Sequence, residues 1–317
     1  MKKILVAMLL IPTLAFAWEP TKPINVMIGS GPGSAIEMNF RLVASEVEKR
    51  DKNVNFIINL KPGADSTVML NDLVKQKADG HTIGAVAHMS IFVTHEIWQK
   101  DVMNYTYESF KTPFMIAKSP LVIVARSNSD VNTPKQLVDT LKKPNNPVSI
   151  AIGGGAHKIT YEYIMTKISG DTKNVQTIRY PGPLQAVTAV AAKEVEFGIM
   201  PLSTAIALIK SGKVKPIALT TESKHPSMPD VPTMAQQVPG LNAFAGVLLA
   251  FPKDTPDNIV EWYRKKFSDV INSDDMKSRY SENYLYYNKQ ELTQVGMDKF
   301  IKDLRNQWLP LARTIQD

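Results

Sequence analysis

Two stretches decide how this chain is read: Ile24-Asn-Val-Met-Ile28 running into Gly29-Ser-Gly-Pro-Gly-Ser34, and Val148-Ser-Ile-Ala-Ile152 running into Gly153-Gly-Gly155. In each, a short apolar strand meets a glycine-rich bend and then a segment with helical spacing. Glycines let the backbone turn its N–H groups toward a ligand, and the helix that follows adds the positive end of its dipole. Each turn is therefore a potential anion cradle. A pair of them, one in each half of the chain, predicts a cleft between two lobes.

Strands and helices alternate around these turns, which predicts an α/β fold with largely parallel sheets. A helix is expected over 36–49, with Leu42, Val43 and Val47 at helical spacing, then a strand over 55–60, a turn at Lys61-Pro-Gly-Ala-Asp65 and a helix over 66–76. A strand over 82–87 follows. Two β-branched stretches, 114–116 and 121–125, mark the expected hinge between lobes. Thr133-Pro134 reads as a helix start, with threonine as cap and proline at the first helical position. Beyond the second glycine turn, strands are expected over 175–179, 195–200 and 214–219, and helices over 183–193 and 202–210. The apolar segment 244–251 should carry the chain back to the first lobe. Helices over 257–272, 273–280 and 289–316 should end the chain, the last one kinked or shortened by Pro310. The expected organisation is a first lobe of residues 18–120 with 241–317 and a second of 121–240.

Residues 1–17 read as a cleavable secretory signal. Lys2 and Lys3 precede an apolar run over 4–16, and Ala15-Phe16-Ala17 supplies the small-residue pattern for cleavage after Ala17. No other stretch approaches the roughly 18 apolar residues of a membrane-spanning helix. With no cysteine there is neither a disulfide framework nor a thiolate metal site. The formal charge of +7 is modest and includes the two signal lysines. Its basic residues are dispersed, without an aromatic-interleaved stripe, which argues against a nucleic-acid partner.

The segment Lys22-Pro-Ile-Asn-Val-Met-Ile-Gly-Ser-Gly-Pro-Gly-Ser34, the Lys61-Pro-Gly-Ala turn, Ala78-Asp-Gly-His-Thr-Ile83, the Gly153 loop, Arg179-Tyr-Pro-Gly182, Ile209-Lys-Ser-Gly-Lys213 and Met228-Pro-Asp-Val-Pro-Thr233 together resemble, in order, the landmarks of the Bug-type solute receptors of tripartite tricarboxylate transporters. The resemblance spans nearly the whole chain after the signal. It implies a two-lobed periplasmic binding protein of type II, a monomer without cofactor, that closes on a small organic carboxylate and hands it to integral membrane transporter subunits. It also implies that backbone amides of both glycine turns hold one carboxylate. The matched positions are Ser30, Gly31, Gly33, Ser34 and Ala35 in the first turn, and Gly153, Gly154, Gly155, Ala156, His157 and Lys158 in the second. Departures from the family pattern fall in the same places: Gly31-Pro-Gly-Ser34 for Pro-Pro-Gly-Gly, Gly154 for a polar residue, Ala156 for threonine or serine, Met200 for an aspartate and His88 for an asparagine. Ligand identity therefore does not transfer from any relative.

Other side chains have two readings each. Asp65 and Ser66 either line the cleft or start their helix. His88, at the carboxyl end of a strand, either donates to a ligand oxygen or is a hydrogen-bonded loop histidine. Ser90 contacts ligand or caps a helix. Arg179 fits a carboxylate bidentately or is a surface arginine, and Tyr180 walls the pocket or packs between lobes. A charge-assisted hydrogen bond contributes about 1.5–3 kcal/mol and a helix N-terminus about 0.3–1, against about 8 for micromolar binding. Tight binding thus requires lobe closure and burial of the ligand's carbon skeleton.

Enzyme readings find less support. Ser34 stands where a dinucleotide fingerprint needs its third glycine, Gly155-Ala-His-Lys158 lacks the ending of a phosphate loop, and no Gly-x-Ser-x-Gly elbow occurs. His81, His88 and His95 recur at equal intervals, but a strand-to-helix change between them argues against a shared metal. His95-Glu-Ile-Trp-Gln99 lacks the second histidine of a metalloprotease helix and is expected on a helix surface. Two alternatives stay open: a ligand-binding co-receptor for a membrane sensor kinase, and an exported hydrolase or lyase using His88 or His157.

Overall fold

A computed structural model describes residues 18–170 and 172–315; the expected signal, 1–17, lies outside them. From the amino end, β1 (Ile24–Ile28) leads to α1 (Ala35–Arg50), β2 (Phe56–Leu60), α2 (Thr67–Leu73), β3 (Thr82–Ala87), the short α3 (His95–Trp98), β4 (Phe110–Lys111) and β5 (Met115–Arg126). Then come α4 (Pro134–Lys142), β6 (Val148–Ile152), α5 (Gly155–Ile168), β7 (Val175–Arg179), α6 (Pro183–Ala191), β8 (Phe197–Pro201), α7 (Leu202–Lys210) and β9 (Val214–Leu219). The chain returns through β10 (Phe244–Pro252) and ends in α8 (Asp257–Ile271), α9 (Asp274–Glu282) and α10 (Gln294–Thr314).

Local chemistry accounts for four of the helix starts. Ser34 accepts from the Glu37 amide, Thr133 from Gln136 with Pro134 at the first position, Ser273 from Met276, and Thr293 from Gly296. The long helix expected from 289 is in fact a 3₁₀ turn, Lys289–Leu292, followed by the Thr293 cap. α10 then continues through Pro310, with only one further turn beyond it.

The strands follow the order β2-β1-β3-β10-β5-β8-β6-β7, with β4 beside β10 and β9 beside β5. At one end β1 runs parallel to β2 and β3, and at the other β6 runs parallel to β7 and β8. Between them lies β5. Its first half, Met115 to Pro120, pairs antiparallel with β10, and its second half, Leu121 to Arg126, pairs with β8 and β9. The two β-branched stretches expected on either side of a hinge are thus one continuous strand that changes partners after Pro120. Thr220 braces this crossing, its amide donating to the Leu121 carbonyl and its hydroxyl to the Ala243 carbonyl.

Each end of the sheet has its own apolar core. Phe40, Phe114, Phe251, Tyr263 and Phe267 fill one, and Val122, Val124, Ala186, Val190, Met200 and Leu202 the other. A third cluster bridges them. In it α10 leans both ways: Arg305 donates to the Phe92 carbonyl, while Trp308 packs against Tyr163 of α5 with ring centroids 5.2 Å apart.

Candidate functional site

The turns after β1 and β6 open onto one cleft. Gly29 and Gly153 begin them, and each is required by close approach of another loop. A Cβ on Gly29 would lie 2.3 Å from the Ser66 Cβ, and one on Gly153 would lie 2.6 Å from the Pro183 backbone. The cleft has two adjoining chambers, about 420 Å³ and about 250 Å³, that share Ala64, Asp65, Gly153, Gly154, Gly155 and Pro181.

Ser30, Gly31, Ser34, Ala35, Asp65, Ser66, His88, Ser90, Gly153, Gly154, Gly155, Ala156 and His157 all line the larger chamber, and Lys158, Arg179 and Tyr180 line the smaller. Two expected positions do not. Met200 is fully buried in β8, on the face that packs against Val122 and Val190, and its neighbour Pro201 reaches the cleft instead. Gly33 is not on the chamber wall, and its amide donates to Glu37 Oε2 at 2.8 Å.

The first turn is closed on itself. Ser34 Oγ accepts from the Glu37 amide and lies 2.6 Å from Ser30 Oγ, while the Glu37 carboxylate reaches back to Gly33. This reciprocal arrangement fills donors that a helix start otherwise leaves unsatisfied. The amides of Ala35 and Ile36 retain no acceptor among the described residues. The second turn is bare: Gly154 provides no side-chain cap to α5, whose first turn holds no acid. Gly155 and Ala156 have no acceptor among the described residues. α5 therefore presents unpaired N–H groups and its positive dipole end to the cleft.

Both cleft histidines are neutral. Burial, with Lys118 nearby as a lesser cause, holds His88 down to about 3, and burial alone holds His157 down to about 4. His88 stacks on Phe244 at 4.7 Å, and its Nδ1 lies 3.1 Å from the Gly246 amide and 3.3 Å from the Gly246 carbonyl, so Gly246 occupies Nδ1 in either tautomer. The His157 ring makes no hydrogen bond among the described residues, and its Nδ1 is buried. Behind His88 lies a buried ion pair, Lys118 Nζ to Glu291 Oε1 at 2.5 Å, with Lys118 4.4 Å from the Phe244 ring centre.

Asp65 is the best-anchored side chain of the site. Its Oδ2 accepts from Ser90 Oγ (3.0 Å) and Thr94 Oγ1 (3.3 Å), so Ser90 serves this carboxylate and not a helix cap. His95, expected on a helix surface, is completely buried: Nε2 donates to the Asp65 carbonyl at 2.7 Å, and the Tyr105 hydroxyl donates to Nδ1 at 2.6 Å. Thr94, His95, Tyr105, Trp98 and Gly246 escape sequence reasoning. A π-helical turn over Ser90–Thr94 buries all five of its residues, and no amphipathic period announces that. In the smaller chamber, Lys158 Nζ lies 4.8 Å over the Trp98 ring.

No helix among the described residues is long and apolar enough to cross a membrane. Comparison with known proteins places this geometry. The chain is similar to a UPF0065 protein of Bordetella bronchiseptica, 24% identical over 82% of this chain and 76% of the relative. Its fold is that of the periplasmic binding protein BugD (TM-score 0.82, 21% identity, 93% of this chain and 98% of the other) and of an R. palustris protein solved with adipate (TM-score 0.84, 20% identity, 93% and 97%). The architecture is thus the two-lobed, type II periplasmic-binding-protein fold, but its sheet is mixed and not largely parallel as expected: β1 to β3 and β6 to β8 pair in parallel, whereas β5 and β10, which cross between the lobes, pair only antiparallel. Residues 39–316 match the tripartite tricarboxylate transporter family receptor, and the chain belongs to that family.

Proposed function

We propose that this chain is an exported, periplasmic solute receptor. It captures a small organic carboxylate between lobes formed by residues 18–120 with 241–317 and by 121–240. It then delivers that ligand, as a monomer, to a membrane transporter of the tripartite tricarboxylate type. The observation that carries this reading is the meeting of two helix N-termini, those of α1 and α5, on one chamber of about 420 Å³, a size suited to a small molecule. Ala35, Ile36, Gly155 and Ala156 supply amides to the carboxylate, and His88 supplies a neutral polar contact to the ligand. Arg179 and Lys158 act on the far part of the ligand. The relative solved with adipate supports a carboxylate as the class.

A binding role also fits the histidines better than catalysis does. No carboxylate orients the ring of His88 or of His157 among the described residues, and Gly246 takes up His88 Nδ1, so neither carries the partner of a general-base histidine. Isothermal titration calorimetry of ligand-stripped protein against mono-, di- and tricarboxylates tests the proposal. Saturable one-to-one binding is expected for at least one acid. Silence across the panel from folded protein, or consumption of an acid in place of its retention, would sink it.

A further inference from the structure

Asp65 is the only charged side chain lining the larger chamber, where His88 and His157 are neutral, and the only acidic one lining either chamber, among the described residues. Strained backbone puts it there. Ala64, Asp65 and Ser66 have φ of 44°, 51° and 80°, three successive non-glycine residues in the left-handed region, a conformation that persists only where the surroundings enforce it. His95, backed by Tyr105, enforces it here through the Asp65 carbonyl. Ser90 and Thr94 orient Oδ2, whereas Oδ1 has no donor among the described residues, and the side chain keeps 29% of its exposure.

This carboxylate crosses the cleft to the bare turn of α5. A Cβ on Gly155 would lie 2.9 Å from Asp65 Oδ2, and one on Gly154 would lie 3.8 Å from Oδ1. Any ligand carboxylate held by the amides of Gly155 and Ala156 therefore lies beside a second negative charge. A plain acid meets only repulsion there. An acid with an ammonium group on the adjacent carbon instead places a positive donor against Oδ1 while its carboxylate reaches the amides. Lys158 and Arg179 line the smaller chamber and not the larger one.

We propose that Asp65 is the specificity-determining residue of this receptor and that it selects α-amino carboxylates over the same acids without the amino group. The inference rests on the carboxylate-receptor reading above. The test is calorimetry of stripped protein with two matched pairs, aspartate against succinate and alanine against propionate. The amino member of a bound pair is expected to bind roughly tenfold or more tighter, as a charge-assisted bond predicts. That ratio should collapse in Asp65→Asn, because asparagine keeps an acceptor for Ser90 and Thr94 and tolerates left-handed backbone. If this variant does not fold, the wild-type ratios decide alone. Succinate or propionate binding as tightly as its partner overturns the inference, as does a ratio that survives in Asp65→Asn. Binding of tricarboxylates or aromatic acids with no amino acid bound also overturns it, yet leaves the carboxylate reading standing. Silence to every acid overturns both.

Discussion

The two glycine turns share a plan and differ in how their helix starts are finished. After β1, Ser34 and Glu37 brace the turn from within, accepting from the Glu37 and Gly33 amides. After β6, Gly154 leaves α5 without a cap, and the nearby anion is Asp65, from a loop that follows β2. Backbone N–H groups at a helix start bind whatever acceptor is supplied. Both turns keep two helix-start amides for an acceptor from outside, Ala35 and Ile36 in one and Gly155 and Ala156 in the other, and only the first is braced by its own side chains.

Acid gives the largest expected effect, and it acts on the second turn. Burial keeps His157 neutral in the folded state, down to about 4 against an ordinary 6.5. The unfolded chain therefore binds the extra proton first as pH falls. Stability should be level above about pH 6.5 and drop on the order of 3 kcal/mol from this residue by about pH 4. His88 adds to the loss in the same direction. Chemical denaturation across this range should show a shallower slope in His157→Gln; an unchanged slope would remove His157 from the explanation.

Steric exchange at the turns comes next. Gly153→Ala drives a methyl into the Pro183 backbone and should cost about 2 kcal/mol, together with ligand binding. Gly31→Ala meets nothing within 4 Å and should leave the melting temperature nearly unchanged. Equal effects in thermal melts would show that the turns are not placed as described.

Capping provides the finest discrimination. Ser34→Ala should destabilise the protein by about 1 kcal/mol with little change in carboxylate affinity. Gly154→Ser should do the reverse. The site has room for a side chain, with His157 Nδ1 3.6 Å from the added Cβ, and a serine cap should stabilise α5 by roughly a few tenths of a kcal/mol. By competing for the α5 amides it should also weaken the ligand about tenfold. Paired melts and titrations check both; a Gly154→Ser variant with undiminished affinity would mean that the ligand does not use the bare turn.

Much of this was legible residue by residue. The strands Ile24–Ile28, Thr82–Ala87, Val148–Ile152 and Val214–Leu219 are short, mainly apolar runs bounded by turn residues, and Thr133-Pro134 caps a helix as its chemistry demands. The glycine turns were legible for the same reason. Met200 was not: a continuous apolar run has no alternation to say which face each residue takes, and packing against Val122 and Val190 decided it. Nor was His95, because a π-helical turn breaks the period on which a surface helix is inferred.

Sequence by itself determined the order of strand, bend and helix, the cap of α4, and the pair of turns able to hold an anion, since each depends on dihedral preferences and hydrogen bonds among residues within a turn of one another. Tertiary structure alone decided that β5 is one strand serving both ends of the sheet, that Met200 turns inward, and that Asp65 arrives at the start of α5. Those outcomes come from contacts between residues far apart in the chain, where packing and charge act through space and leave no local pattern to read.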